Sequence, residues 1–228
     1  MFLNLIRRAA TLITSQEDNR VIILDELYGS ARSIHEKAPV DPKGRALPWF
    51  TYPAIEYLSR LDFKNATFFE FGCGYGTIYW AKYCKKIVSV ESDLGWFEKL
   101  KKRTIKSKNI ELVHADDRTT YINAIKKTKK KFDVIIVDGV YRDGCTLNAL
   151  ESLKEGGLII LDNSDWYANS ARILRKAGYT QIDFDGFGPG NKYTWVTSIF
   201  FKTIKFDHTE KNYKNFSKGG YKKVVDSK

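Results

Sequence analysis

A doubly wound α/β sheet is the fold this 228-residue sequence predicts, on three observations. From Ala66 onward short apolar runs alternate with charged, helix-favouring stretches, the pattern of a largely parallel sheet covered on both faces. A glycine-rich turn separates the first run from the first helix, as in nucleotide-binding α/β sheets. The last two runs are joined by Asp185 to Thr194, DGFGPGNKYT, with no helix between them, so the sheet should end in an antiparallel pair.

Taken in order, Phe2, Leu5, Ile6, Ala9, Leu12 and Ile13 recur at helical spacing, with Arg7 and Arg8 off that face. They predict an amphipathic helix over 2–14 that packs on its own domain, on a second subunit of a homodimer, or shallowly on a membrane. Residues 37–53 carry four prolines and a glycine, an irregular loop before a helix opening at Pro53. Strands are predicted at Thr67–Phe71, Ile87–Glu91, Ile110–His114, Phe132–Asp138, Gly157–Leu161, Thr180–Phe184 and Trp195–Phe201. Helices are predicted near Thr77–Lys85, Leu94–Lys106, Arg118–Lys127, Arg142–Lys154 and Trp166–Ala177. The domain reading is an N-terminal helical extension and loop over 1–47, an α/β domain over 48–202, and a Lys-rich tail over 203–228, loosely ordered after Phe206.

Composition narrows the setting. Hydrophobic residues at 43% and charged residues at 29% are a globular balance. A net charge of +11 draws anions, whether nucleic acid, anionic lipid or phosphorylated metabolites. The basic runs 99–108 and 126–131 fall at the ends of predicted helices, either as solvated surface or as a partner's grip. Three cysteines, Cys73, Cys84 and Cys145, form no CxxC pair, which fits a reducing cytoplasm better than a disulfide framework. No apolar run approaches the roughly 18 residues of a spanning helix.

The chemistry concentrates at strand ends. Thr67 to Gly76 reads TFFEFGCGYG: a buried strand, Glu70, then Gly72, Gly74 and Gly76 before a helix. Glycines at such a turn let backbone approach a ligand closely, and the helix start offers free N–H groups. The dinucleotide fingerprint G-x-G-x-x-G is broken at Thr77. An acid followed by G-x-G-x-G resembles the first motif of the class I methyltransferases that use S-adenosylmethionine (SAM), and an acid beside the loop suits an ammonium where it would repel a pyrophosphate. The resemblance covers roughly residues 48–202 and implies their Rossmann-like seven-stranded sheet, mostly parallel with an antiparallel last strand.

Carried onto this chain, the resemblance makes Glu70, Gly72, Gly74 and Gly76 the methionine end of the cofactor site. Glu91, 21 positions after Glu70 and followed by Ser92, stands where an acid binds ribose hydroxyls. Asp116 falls at the adenine amino group, with Asp117 the helix-capping alternative. Asp138, at the end of the fourth strand, lies beside the expected methyl group. With Asp162 and Asn163 after the fifth strand, it is similar to the set that holds a Mg²⁺-type cation in the catechol O-methyltransferase branch. The other reading of the trio is hydrogen bonding to cofactor or substrate, because Arg142 stands where that branch carries Lys or His; this metal-free version is the expectation carried forward. Asp138 or Asp162 would take a proton from the acceptor. Arg142 would clamp a carboxylate or phosphate of the substrate, and Trp49, Tyr52, Tyr141 and Trp166 would wall its pocket, each with core packing as the competing role. The expected reaction is O-methylation of a small polar or anionic metabolite such as a sugar, nucleotide sugar or phenolic acid. Methylation of RNA or protein gripped by the basic surface, or SAM binding without catalysis, are the alternatives.

Overall fold

The computed structural model describes residues 19–209, so the helix expected over 2–14 and most of the Lys-rich tail lie outside the described residues. Seven strands form one sheet in the order β3-β2-β1-β4-β5-β7-β6. They are β1 (Thr67–Phe71), β2 (Lys86–Glu91), β3 (Ile110–His114), β4 (Phe132–Val137), β5 (Leu153–Asp162), β6 (Thr180–Gly186) and β7 (Trp195–Phe201). The first five pair in parallel, while β7 runs antiparallel to both β5 and β6. The chain order reverses between β1 and β4, the switch point where open α/β sheets place ligands.

Each strand sends alternate residues to opposite faces. Phe69, Phe71, Val88, Val90, Ile135, Val137, Ile159 and Leu161 build one core with Tyr121, Ile125, Cys145, Ala149 and Leu174. Phe68, Ile87, Val134, Ile136, Leu158 and Ile160 build the other with Ile55, Leu58, Tyr79 and Trp80. Residues Asn19–Ile22 (α1), continued as a π-helical turn Ile23–Leu27, and Ser30–Glu36 (α2) precede the irregular Pro-rich segment, and Tyr52–Leu58 forms α3. Helices α4 (Tyr75–Trp80), α5 (Leu94–Thr104), α6 (Arg118–Lys127), α7 (Arg142–Ser152) and α8 (Ala168–Lys176) follow successive strands.

Boundaries differ from expectation where side chains intervene. Helix α4 starts two residues early because the Thr77 hydroxyl accepts the Gly74 N–H at 2.9 Å. It stops at Trp80, and Lys85 N–H already bonds to Ala66 O beside the sheet. Strand β5 begins at Leu153 and not Gly157; its pairing with β4 is irregular between Phe132 and Val134. The segment directly after β7 is docked: Ile204 and Phe206 pack on the second core, with Phe206 edge-on to Phe63 at 4.9 Å. No helix among the described residues is long and apolar enough to cross a membrane.

Candidate functional site

A cavity of about 440 Å³ opens over the carboxyl ends of the central strands. Its floor is the turn after β1. Gly72 sits at φ +94°, and a Cβ there would lie 2.7 Å from Gly139 Cα. Gly139 in turn could carry no Cβ, since it would meet the Tyr121 hydroxyl at 2.0 Å and Gly72 N at 2.9 Å. The turns after β1 and β4 therefore cross backbone against backbone. Sequence reasoning missed Gly139; its signal was a glycine directly behind a strand-end acid.

Glu70 holds this turn from below. Its carboxyl is buried and accepts from the hydroxyls of Thr77 and Ser89, the latter at 2.7 Å. Burial pushes it up to about 8, against the pull of those two hydrogen bonds. At Gly74 a Cβ would find nothing nearer than Trp96 Nε1 at 4.0 Å, so the residue leaves open space at the cavity wall. At the end of β2, Glu91 accepts from the backbone N–H groups of Cys73 (3.2 Å), Ser92 (2.8 Å) and Asp93 (2.9 Å). It thereby ties the glycine turn to the next loop while still lining the cavity with Ser92. Trp96, not anticipated, fixes the turn from above by donating to Cys73 O at 2.7 Å. The Cys73 side chain is buried in the turn, and burial pushes its thiol up.

The acids after β3 stand apart. Asp116, expected at the adenine, is exposed and is not among the residues lining the cavity. Asp117 is the N-cap of α6, accepting the Thr120 N–H at 2.9 Å.

At the other end, Asp138, Asp162 and Asn163 do converge on the cavity. Asp162 is buried, with Oδ1 accepting from Trp195 Nε1 at 3.0 Å and Thr197 Oγ1 at 2.5 Å. Burial, then the neighbouring Asp138, raises its pKa well above the carboxylate range. Burial also lifts Asp138, to about 6, with Arg142 opposing. Trp195 and Thr197, on β7, were not foreseen, because only the antiparallel insertion of β7 beside β5 brings them to Asp162.

Arg142 does not make the expected substrate clamp. It is 7% exposed, and four of its five N–H donors go to Gly139 O (2.9 Å), Asp138 Oδ1 (3.0 Å), Asn163 Oδ1 (3.4 Å) and Asp162 O. The Tyr167 ring covers it, with Cζ 4.1 Å from the centroid. Being the first helical residue after the left-handed Tyr141 (φ +53°), it folds back under its own turn. Tyr141 itself lies outside the cavity, against Tyr121 and Arg118. Tyr52 is also elsewhere: it opens α3 facing Tyr28, ring centroids 4.6 Å apart, beside a second cavity. Trp49 and Trp166 do line the main cavity, together with Lys37, Asn191 and Tyr193. Of the basic runs, Lys101 pairs with Glu98 and Lys126 with Glu151 on the surface.

No family model and no curated protein sequence matches the chain. Solved structures do resemble it. The O-methyltransferase TomG from Streptomyces achromogenes, in complex with SAM, shares 17% identity over 87% of this chain and 95% of its own, with a TM-score of 0.54. A methyltransferase from Pyrococcus furiosus shares 18% over 82% of this chain and 100% of its own (TM-score 0.52). Precorrin-6y C5,15-methyltransferase from Geobacter metallireducens shares 15% over 69% and 93% (TM-score 0.53). The chain has the class I methyltransferase fold.

Proposed function

We propose that the protein is a SAM-dependent methyltransferase that methylates a hydroxyl of a small polyhydroxylated acceptor such as a sugar. The observation that carries this reading is one cavity with two unlike ends, a glycine-built cradle at β1 and β2 and a wall of carboxyl, amide and aromatic groups at β4 and β5. The residues fit the cofactor: Gly74 leaves room where any side chain would intrude, and Glu70, Glu91 and Ser92 supply oxygens for its ammonium and ribose. SAM supplies an activated methyl group, so the protein's work is alignment of the acceptor and removal of a proton.

Asp138 suits that proton transfer. It faces the cavity, is a quarter exposed, and has a carboxyl raised toward neutrality, matched to a base working near pH 7. Asp162 is the structural partner, its oxygen engaged by Trp195 and Thr197. Trp49, Trp166 and Tyr193 present broad exposed faces at the mouth, against which the C–H face of a sugar ring can lie. Asn163 and Asn191 have amides that both donate and accept, as hydroxyls do. An anionic acceptor is served less well, since among the described residues Lys37 is the single basic residue lining the cavity and Arg142 is engaged within the fold.

Calorimetry with SAM tests the cofactor half: the wild type binds, and Gly74→Val folds normally but does not, because its side chain fills the cradle. Transfer of label from methyl-tritiated SAM to methyl glycosides, with hydroxybenzoates as the comparison, tests the acceptor half. Label appearing only on hydroxybenzoates overturns the sugar reading.

A further inference from the structure

Asp138, Asp162 and Asn163 are the residues whose resemblance to a metal-dependent branch raises the question of a cation. The oxygens they offer are already organised, and not around a point. Asp138 Oδ1, the Asp162 carbonyl and Asn163 Oδ1 all accept from the two terminal nitrogens of Arg142. Asp162 Oδ1 is held the other way, by Trp195 and Thr197. A hard divalent ion of the Mg²⁺ type needs carboxylate oxygens converging at about 2.1 Å in an octahedron. A guanidinium needs acceptors spread in its plane at hydrogen-bond distance. The second arrangement is the one present.

Other features agree with a resident cation. Asn163 is left-handed (φ +49°), so β5 ends in a twist that gives the Asp162 carbonyl and the Asn163 side chain to the same nitrogen, Nη1. Gly139 O fixes Nε at 2.9 Å, and the Tyr167 face closes one side. Buried charge is stable only when paired and hydrogen-bonded; here every contact is made within the fold.

We propose that the Arg142 guanidinium stands in place of a divalent cation at the acceptor edge, orienting Asp138 and the end of β5 so that the site operates without a metal. Arg142 is thus a positioning residue. Only the last clause rests on the methyltransferase reading. Unlike a metal, this cation is part of the chain and cannot be removed by chelator.

The test titrates Mn²⁺ into the full chain and follows the free-ion paramagnetic resonance signal, with SAM calorimetry on the same samples. The wild type is expected to bind no stoichiometric Mn²⁺. Arg142→Ala, which uncovers the three oxygens, is expected to bind one ion at least roughly tenfold more tightly, and Asp138→Asn in that background to lose it. Stoichiometric Mn²⁺ on the wild type that disappears in Asp138→Asn overturns the proposal, as does an Arg142→Ala protein that folds and gains no affinity. Should that variant not fold, Arg142→Lys, whose single ammonium cannot span the same acceptors, takes its place with the same two outcomes. Failure of SAM to bind the wild type would remove the methyltransferase reading while leaving the Mn²⁺ result to decide the role of Arg142.

Discussion

The two ends of the cavity are built by different means. The end at β1 and β2 is made of backbone: a glycine turn, the N–H groups around Glu91, and carboxyls that brace the turn. The end at β4 and β5 is made of side chains from segments far apart in the sequence, with Asp138, Arg142, Asp162, Trp195 and Thr197 in one hydrogen-bonded group. Backbone can hold a constant ligand with little change of sequence, whereas side chains can be exchanged to suit a different acceptor. One end is therefore set by backbone and the other by the side chains this sequence supplies.

The largest effect that would break this contrast falls on the side-chain end. Arg142→Ala leaves buried acceptors without a donor, and denaturant unfolding should show a loss of about 3–5 kcal/mol, the scale for breaking a buried ion pair; a loss below about 1 kcal/mol would mean the group is not cooperative. At the backbone end, the bracing acid should act through pH. Folded Glu70 holds its proton up to about 8, while unfolded it releases near the ordinary 4.5. The folded state thus binds more protons between these limits, so the stability it contributes is complete below pH 4.5 and is lost as pH rises toward 8. Melting across that window should show Glu70→Gln with the flatter profile, the wild-type slope being steeper by at most about 1.4 kcal/mol per pH unit.

Smaller effects sharpen the division. Glu91→Ala should weaken SAM binding by about 1–3 kcal/mol in calorimetry, the scale for lost charged hydrogen bonds. Trp166, 61% exposed at the mouth, should tolerate Ala within about 0.5 kcal/mol of stability. Its effect should fall on the acceptor KM alone, with SAM affinity unchanged.

The same contrast explains what the sequence made legible. Strand order in the chain, burial on both sheet faces and the glycine turn are local patterns, and β1, β3 and β7 begin and end where periodicity places them. Glu70 through Ser92 lie within a short stretch whose spacing carries meaning. Asp138 and Asp162 were readable as strand ends. That Arg142 turns inward was not, because its direction depends on a left-handed Tyr141 and on acceptors 20 and 21 residues later. Tyr52 was misassigned because neighbouring aromatics in a proline-rich segment have no period to say which faces the cavity. Trp195 and Thr197 were missed because their partner is set by strand pairing 33 and 35 residues away.

The insertion of β7 between β5 and β6 bears on how the molecule is made. Until residues 195–201 are synthesised, β5 is a bare sheet edge with unpaired backbone groups. Asp162 meanwhile lacks both of its side-chain donors, Trp195 and Thr197. Because chains emerge N-terminus first, the glycine turn can form on the ribosome while the side-chain end of the cavity waits for the last strand. A chain cut short before Trp195 would keep the glycine turn and lose the two donors that hold Asp162.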